Sequence, residues 1–136
     1  MAREVLATAD AWLEEHVIQP LASDAPAADR IDAMTAELDH FYDGARQACL
    51  LNVLSSPIEE PGLFSDMIKD ALERWTQALA GTVADAGFSA QVAHERAIQA
   101  IALIEGSLVV AQGLREPQPF NQCLSKLKDE LLAPSA

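Results

Sequence analysis

The sequence predicts an all-α domain, on three observations. Half of the 136 residues are hydrophobic while only 5% are aromatic, and alanine and leucine, both strong helix formers, dominate. Valine, isoleucine and threonine never cluster with period-two alternation, so no strand is predicted. Apolar residues instead recur at three- and four-residue steps between breaks, which divide the chain into six helices. A chain of this length fits one domain, spanning 1–136, that buries roughly two thirds of its unfolded surface.

The first helix is predicted over 2–19, with Val5, Leu6, Trp12, Leu13, His16 and Val17 near one stripe. Pro20 should stop it, and "ASDAPAAD" reads as a loop with Asp24 as an N-cap for the next helix. The second helix, 27–43, has Ile31, Met34, Leu38, Phe41 and Tyr42 on its apolar face and Asp32, Glu37, Asp39 and Asp43 opposite. Gly44 gives a break. The third, "ARQACLLNVLSSP" (45–57), has almost no polar face and should be buried on several sides. The fourth, 62–86, repeats Leu63, Phe64, Met67, Ile68, Ala71, Leu72, Trp75, Leu79 and Val83 at helical spacing, and Gly87 stands where a helix end needs a left-handed residue. The fifth starts near Ser89 and ends near Arg115, about 40 Å of helix. After the turn "REPQP", the sixth, 118–132, carries Phe120, Cys123, Leu124, Leu127, Leu131 and Leu132 on one side, with Lys126 and Lys128 near the negative end of its dipole.

The fifth helix poses a burial problem. From Ala97 to Ala111 only Gln99, Glu105 and Ser107 are polar, and a helix apolar all round must be covered all round. Five other helices in so small a domain cover only part of it, and an uncovered strip is a large apolar patch. A second copy of the chain solves this. Gly106 and Gly113, with Val109 and Val110 between them, let a neighbouring backbone approach closely. The competing reading is that these glycines mark close packing within one chain. A two-fold dimer pairing the last two helices of each copy into a four-helix bundle would draw on Ala102, Glu105, Gly106, Val109, Val110, Gly113, Phe120, Cys123, Leu124 and Leu127. A carboxylate in apolar surroundings needs a partner. Glu105 has three routes: a hydrogen bond or an ion pair across the dimer, to the partner's Arg96 or the partner's Arg115, or contact with a ligand. A structural role at the interface is the favoured one.

Charge and motifs exclude several classes. A formal net charge of −12 repels phosphate backbones, and no Lys/Arg cluster overrides it, so the chain as given should not bind DNA or RNA alone. The N-terminus lacks the apolar run of a signal peptide, and Glu105 interrupts the best candidate for a membrane span. Cys49 and Cys123, far apart and outside any CxxC or Cys/His cluster, read as reduced, partly buried thiols of a cytoplasmic protein. His16, His40 and His94 form no HxxxH or HExxH motif, and "DHFYD" reads as a solvated face. No phosphate loop or GxSxG is present, so no enzyme activity, metal or cofactor is predicted.

Three segments, in order, carry a family likeness. "ARQACLLNVLSS", "FSDMIKDALERWTQALAGTVADAG" and "IEGSLVVAQGLREPQPF" resemble the central helix, the long following helix and the dimer helix of the C-terminal ligand-sensing domain of TetR-type transcriptional regulators. The likeness is nearest to the LmrA/YxaF-like subgroup with a "GCLL"-type buried helix, although Ala48 precedes Cys49 here. It spans essentially the whole chain. The resemblance implies an effector-binding, dimerising domain of a repressor, whose apolar small-molecule effector shifts the connecting helix and releases the protein from its operator. The candidate effector contacts are Met34, Leu38, Phe41, Tyr42, Cys49, Leu50, Val53, Trp75, Leu79, Ile101 and Glu105. Each is more readily read as core than as a ligand contact, and Tyr42 and Glu105 stand out by their polar groups. Such regulators begin with a basic helix-turn-helix head, which this sequence is expected to lack, its first helix resembling the connecting helix. The alternative is a headless module that heterodimerises with a full-length regulator and removes it from DNA.

Overall fold

The computed structural model describes residues 10–42 and 61–134, and these form five helical segments with no strand among them. The predicted third helix, 45–57, lies outside the described residues. Helix α1 covers 10–21 and contains a π-helical turn, Glu14–Ile18, followed by Gln19–Leu21. The others are α2 (Ala27–Tyr42), α3 (Pro61–Asp85), α4 (Ala90–Leu114) and α5 (Gln118–Leu131).

Two expectations fail at the start of the chain. Pro20 does not stop α1, which runs on through Leu21. Proline lacks the N–H that an α-helix would direct at residue 16. The π turn ahead of it moves the ladder by one residue, so that Gln19 N–H donates to the carbonyl of Glu14. The helix passes through the proline and buries Leu21. Nor does Asp24 cap α2. The residue ahead of that helix is Pro26, whose carbonyl accepts from Arg30 N–H at 3.0 Å, while Asp24 is exposed in the preceding turn.

The later ends follow the sequence closely. Gly87 closes α3 with a φ of 109°. Ser89 caps α4, its hydroxyl accepting from Val92 N–H at 3.2 Å. Arg115 ends α4 in the left-handed region (φ 59°), with Glu116 N–H donating to Ala111 O at 3.0 Å and Arg115 N–H to Gln112 O at 3.2 Å. This is a Schellman closure built on a non-glycine residue.

Helix α4 is the spine, packed between α3 and α5. Helix α2 closes over α5 and α3, and α1 lies on α2 and α3. One continuous core joins Val17 and Leu21 of α1, Ile31, Met34 and Leu38 of α2, Trp75, Leu79 and Val83 of α3, Ile104 and Leu108 of α4 and Phe120, Leu127 and Leu131 of α5. Full burial of a large apolar side chain contributes about 1.5–3 kcal/mol, so these contacts dominate the stability of the fold. Arg96 of α4 reaches across to the end of α5. It donates to Leu131 O at 3.0 Å and Ala133 O at 2.5 Å and lies 4.4 Å over the Phe88 ring. Lys128 on α5 meets Asp32 on α2 at 3.1 Å.

Candidate functional site

Six of the predicted effector contacts, Met34, Leu38, Tyr42, Trp75, Leu79 and Ile101, are buried in the single core. Phe41 is half-buried against it, and Glu105 is half-buried at its edge. Cys49, Leu50 and Val53 lie outside the described residues. The elements explain the convergence. Met34, Leu38 and Tyr42 stand four apart on α2, and Trp75 and Leu79 four apart on α3, so each pair or triplet lines one helix face. An aromatic row leads inward from the surface. His16 stacks on Trp12 at 5.3 Å, Trp12 meets Phe41 at 4.1 Å, Phe41 meets Tyr42 edge-on at 4.8 Å, and Tyr42 meets Phe120 at 6.0 Å.

Trp75 is distinctive within this set. It is 1% exposed, and its Nε1 finds no hydrogen-bond partner among the described residues. The sequence argued for Trp75 only as an aromatic wall, because helical spacing does not reveal where an indole N–H points. An open groove lies elsewhere, between α2 and α5, lined by Thr35, Ala36, Asp39, Asn121, Leu124 and Ser125. It includes none of the predicted effector contacts.

Helix α1 is pinned to the core at both ends. Near its start the Arg74 guanidinium on α3 gathers three carboxylates. It donates to Asp10, to Glu14 at 2.8 Å and to Asp70, one turn back on α3, at 3.0 Å. Burial acts to lower the pKa of Arg74, and the charge of Asp10 with the hydrogen bond and charge of Asp70 outweighs it, leaving the group above its ordinary value. At the other end the Leu21 carbonyl receives two donors. Arg30 Nη1 lies 3.3 Å away and Thr82 Oγ1 3.0 Å away. Thr82 Oγ1 is also 3.0 Å from Ala78 O, so its one proton serves the two carbonyls alternately. Arg30, nearly buried, also donates to Ala25 O at 2.6 Å and pairs with Asp85 at 3.0 Å.

The sequence reading missed these ties. Arg30 sits four residues before Met34, in register with the buried face of α2, and that register was the available signal. Thr82 likewise follows Leu79 by three. The tie of Arg74 to α1 gave no signal, because its partners there lie 60 and 64 residues away.

Helix α4 has two distinct faces. Ala93, Ala97, Ala100, Ile101, Ile104, Leu108 and Ala111 are buried in the chain. The other half of its C-terminal stretch presents Ile98, Ala102, Leu103, Gly106, Val109, Val110, Gly113 and Leu114 to the outside, with Gln99 as its polar member. The large side chains on this face are between 42% (Leu103) and 60% (Leu114) exposed. A side-chain carbon added at Gly106 or Gly113 would meet nothing within 4 Å. Close packing within one chain therefore does not account for these glycines. By length and composition alone α4 could cross a membrane, with a mean hydropathy of 1.6 over its best window even with Glu105 in the helix. That signal is weak for a helix lodged between α3 and α5.

The interface residues predicted on α5 are placed differently. Phe120 and Leu127 are wholly buried in the chain's own core, Leu124 is nearly so, and Cys123 is half-buried. The outward side of α5 is polar: Asn121, Gln122, Ser125, Lys126, Asp129 and Glu130 are exposed. The reason is that α4 and α2 both pack on α5 and take up its apolar stripe. Arg96, considered for Glu105 across a dimer, is engaged with its own chain's α5 terminus. Asp39 and His40 are exposed on α2. Among the described residues no group of three or more His, Cys, Asp or Glu side chains could hold a metal ion.

Residues 27–126 match the family described as transcriptional regulator LmrA/YxaF-like, C-terminal domain. No curated protein and no solved structure matches the chain.

Proposed function

Since the chain belongs to the LmrA/YxaF-like family of transcriptional-regulator C-terminal domains, we propose that residues 1–136 act as one regulatory unit of a cytoplasmic TetR-type repressor, pairing two copies and binding a small apolar or aromatic effector. The observation that carries this is the outward half of α4. It gathers the exposed large apolar side chains Ile98, Leu103, Val109, Val110 and Leu114 on one helix face, and a contiguous exposed apolar face marks an interaction surface. Gly106 and Gly113 each cost the helix about 1 kcal/mol relative to alanine, with no compensating contact inside the chain. A second α4 laid on this face would cover the branched side chains and use the glycines for close approach. A two-fold arrangement makes one patch serve both copies.

Effector binding would act through α1. The helix is held by Arg74 at one end and by Thr82 and Arg30 at the other, so a displacement of α3 or α2 at the core is carried to α1. An effector favours one position of α1 only by binding that state more tightly. In a repressor, α1 would pass this movement to a DNA-binding head.

The test of the pairing is mass in solution by light scattering, on the wild type, Gly106→Arg and Val110→Asp. The wild type is expected at twice the chain mass. Both variants are expected at the single-chain mass with unchanged helical content, because positions 106 and 110 are open to solvent within one chain. A wild-type monomer, or variants that remain dimeric, would overturn the α4 interface.

A further inference from the structure

We infer that Trp75 selects the effector by hydrogen bonding: its indole N–H donates to an oxygen or nitrogen acceptor carried by an otherwise apolar, uncharged small molecule. The inference rests on the effector-binding reading above and specifies its chemistry. An indole nitrogen only donates, and a buried donor left without an acceptor costs about 1–3 kcal/mol. Buried tryptophans therefore normally have one. Trp75 is the bulkiest fully buried side chain among the described residues, and its Nε1 has none. The Tyr42 hydroxyl and the half-buried Glu105 carboxylate belong to the same region, and neither bonds the indole nitrogen. The other buried polar side chains among the described residues are Arg30 and Thr82. Arg30 has donors only, and the Thr82 hydroxyl is engaged with the carbonyls of Leu21 and Ala78.

The core that Trp75 shares with Met34, Leu38, Leu79 and Ile101 is hydrocarbon. Such surroundings reject a charged molecule and accept an apolar one. A single fixed donor then discriminates among apolar molecules. A ketone, ester, ether or ring nitrogen satisfies it, and the matching hydrocarbon leaves it unsatisfied. Hydrogen-bond specificity of this kind exceeds what shape alone gives, because the wrong ligand leaves a buried polar group unpaired.

The experiment uses matched pairs of probes that differ by one carbonyl: ethylbenzene and acetophenone, 2-ethylnaphthalene and 2-acetonaphthone, diphenylmethane and benzophenone. The readout is the indole N–H region of the proton–nitrogen spectrum of the labelled protein. Trp12→Phe leaves a single indole signal and assigns it to Trp75 without touching that residue. At least one ketone is expected to move this signal downfield and to bind about tenfold more tightly than its hydrocarbon. In Trp75→Phe the preference is expected to vanish while hydrocarbon binding persists. The wild-type signal decides the question even if that variant does not fold. Equal binding of ketone and hydrocarbon, with the indole signal unmoved, would overturn the role of Trp75 and leave the effector-binding reading intact. If no probe perturbs any core methyl signal, both readings fall together.

Discussion

Arg115 holds a backbone geometry that suits glycine, and Gly87 holds one that suits little else. A left-handed conformation costs a side-chain-bearing residue about 1–2 kcal/mol. Arg115→Gly is therefore expected to raise stability by about 1 kcal/mol and Gly87→Ala to lower it by a similar amount, both read from denaturant midpoints at constant slope. The opposite signs make the pair a check on the two helix ends. Gly87 was legible in the sequence because glycine after a periodic run signals a helix end. Arg115 was legible as a boundary only from the proline-rich turn that follows. Cys123 gives a chemical test. Burial raises its thiol pKa above the ordinary 9.0, and its hydrogen bond with Ser107 offsets part of that. The unfolded thiol ionises first as pH rises, so the advantage of the folded state holds below pH 9 and declines as pH climbs through the folded value. At pH 8 Cys123 is expected to alkylate more slowly than a free cysteine, read by peptide-mapped mass spectrometry. Equal rates would show an ordinary, accessible thiol.

At the scale of elements, the sequence revealed α2, α3, α4 and α5 to within a residue or two, because each combines a sustained helical period with a clear stop. It misread the end of α1. A proline in sequence looks like a terminus, and only the three-dimensional ladder reveals a π turn that accommodates it. The ties on α1 predict how that helix behaves. Arg74→Met is expected to cost about 1 kcal/mol, since its partly exposed ion pairs are each weak but share one guanidinium and leave three carboxylates together once it is gone. The more specific expectation is faster amide hydrogen exchange across 10–21, with α4 unaffected. Unchanged protection of α1 would mean that Thr82, Arg30 and the buried Val17 and Leu21 hold it without Arg74.

For the whole molecule, the sequence disclosed that α4 had more apolar surface than the other helices could cover. It did not disclose which side faced outward. Alanines at 93, 97, 100 and 111 let α3 and α5 press close, Ile101, Ile104 and Leu108 fill the rest of that inner face, and Ile98, Leu103, Val109, Val110 and Leu114 are left outside. On α5 one apolar stripe can serve either the chain's own core or a partner, and here α4 and α2 pack on it, with Phe120 and Leu127 wholly buried within the chain. That Met34, Leu38, Tyr42, Trp75, Leu79 and Ile101 share one core was legible since shared helix faces follow from spacing, whereas the unmatched donor on Trp75 depends on where other chain atoms end up. Pairing through the bare outer face of α4, as proposed, would make stability depend on dose. If part of the core is completed by a second copy, melting temperature becomes a function of protein concentration, and a hundredfold dilution removes about 2.7 kcal/mol per dimer. In a cell, the amount of protein made would then set the fraction that is folded as well as the fraction that is paired, and a fall in synthesis would be amplified into a sharper loss of active regulator.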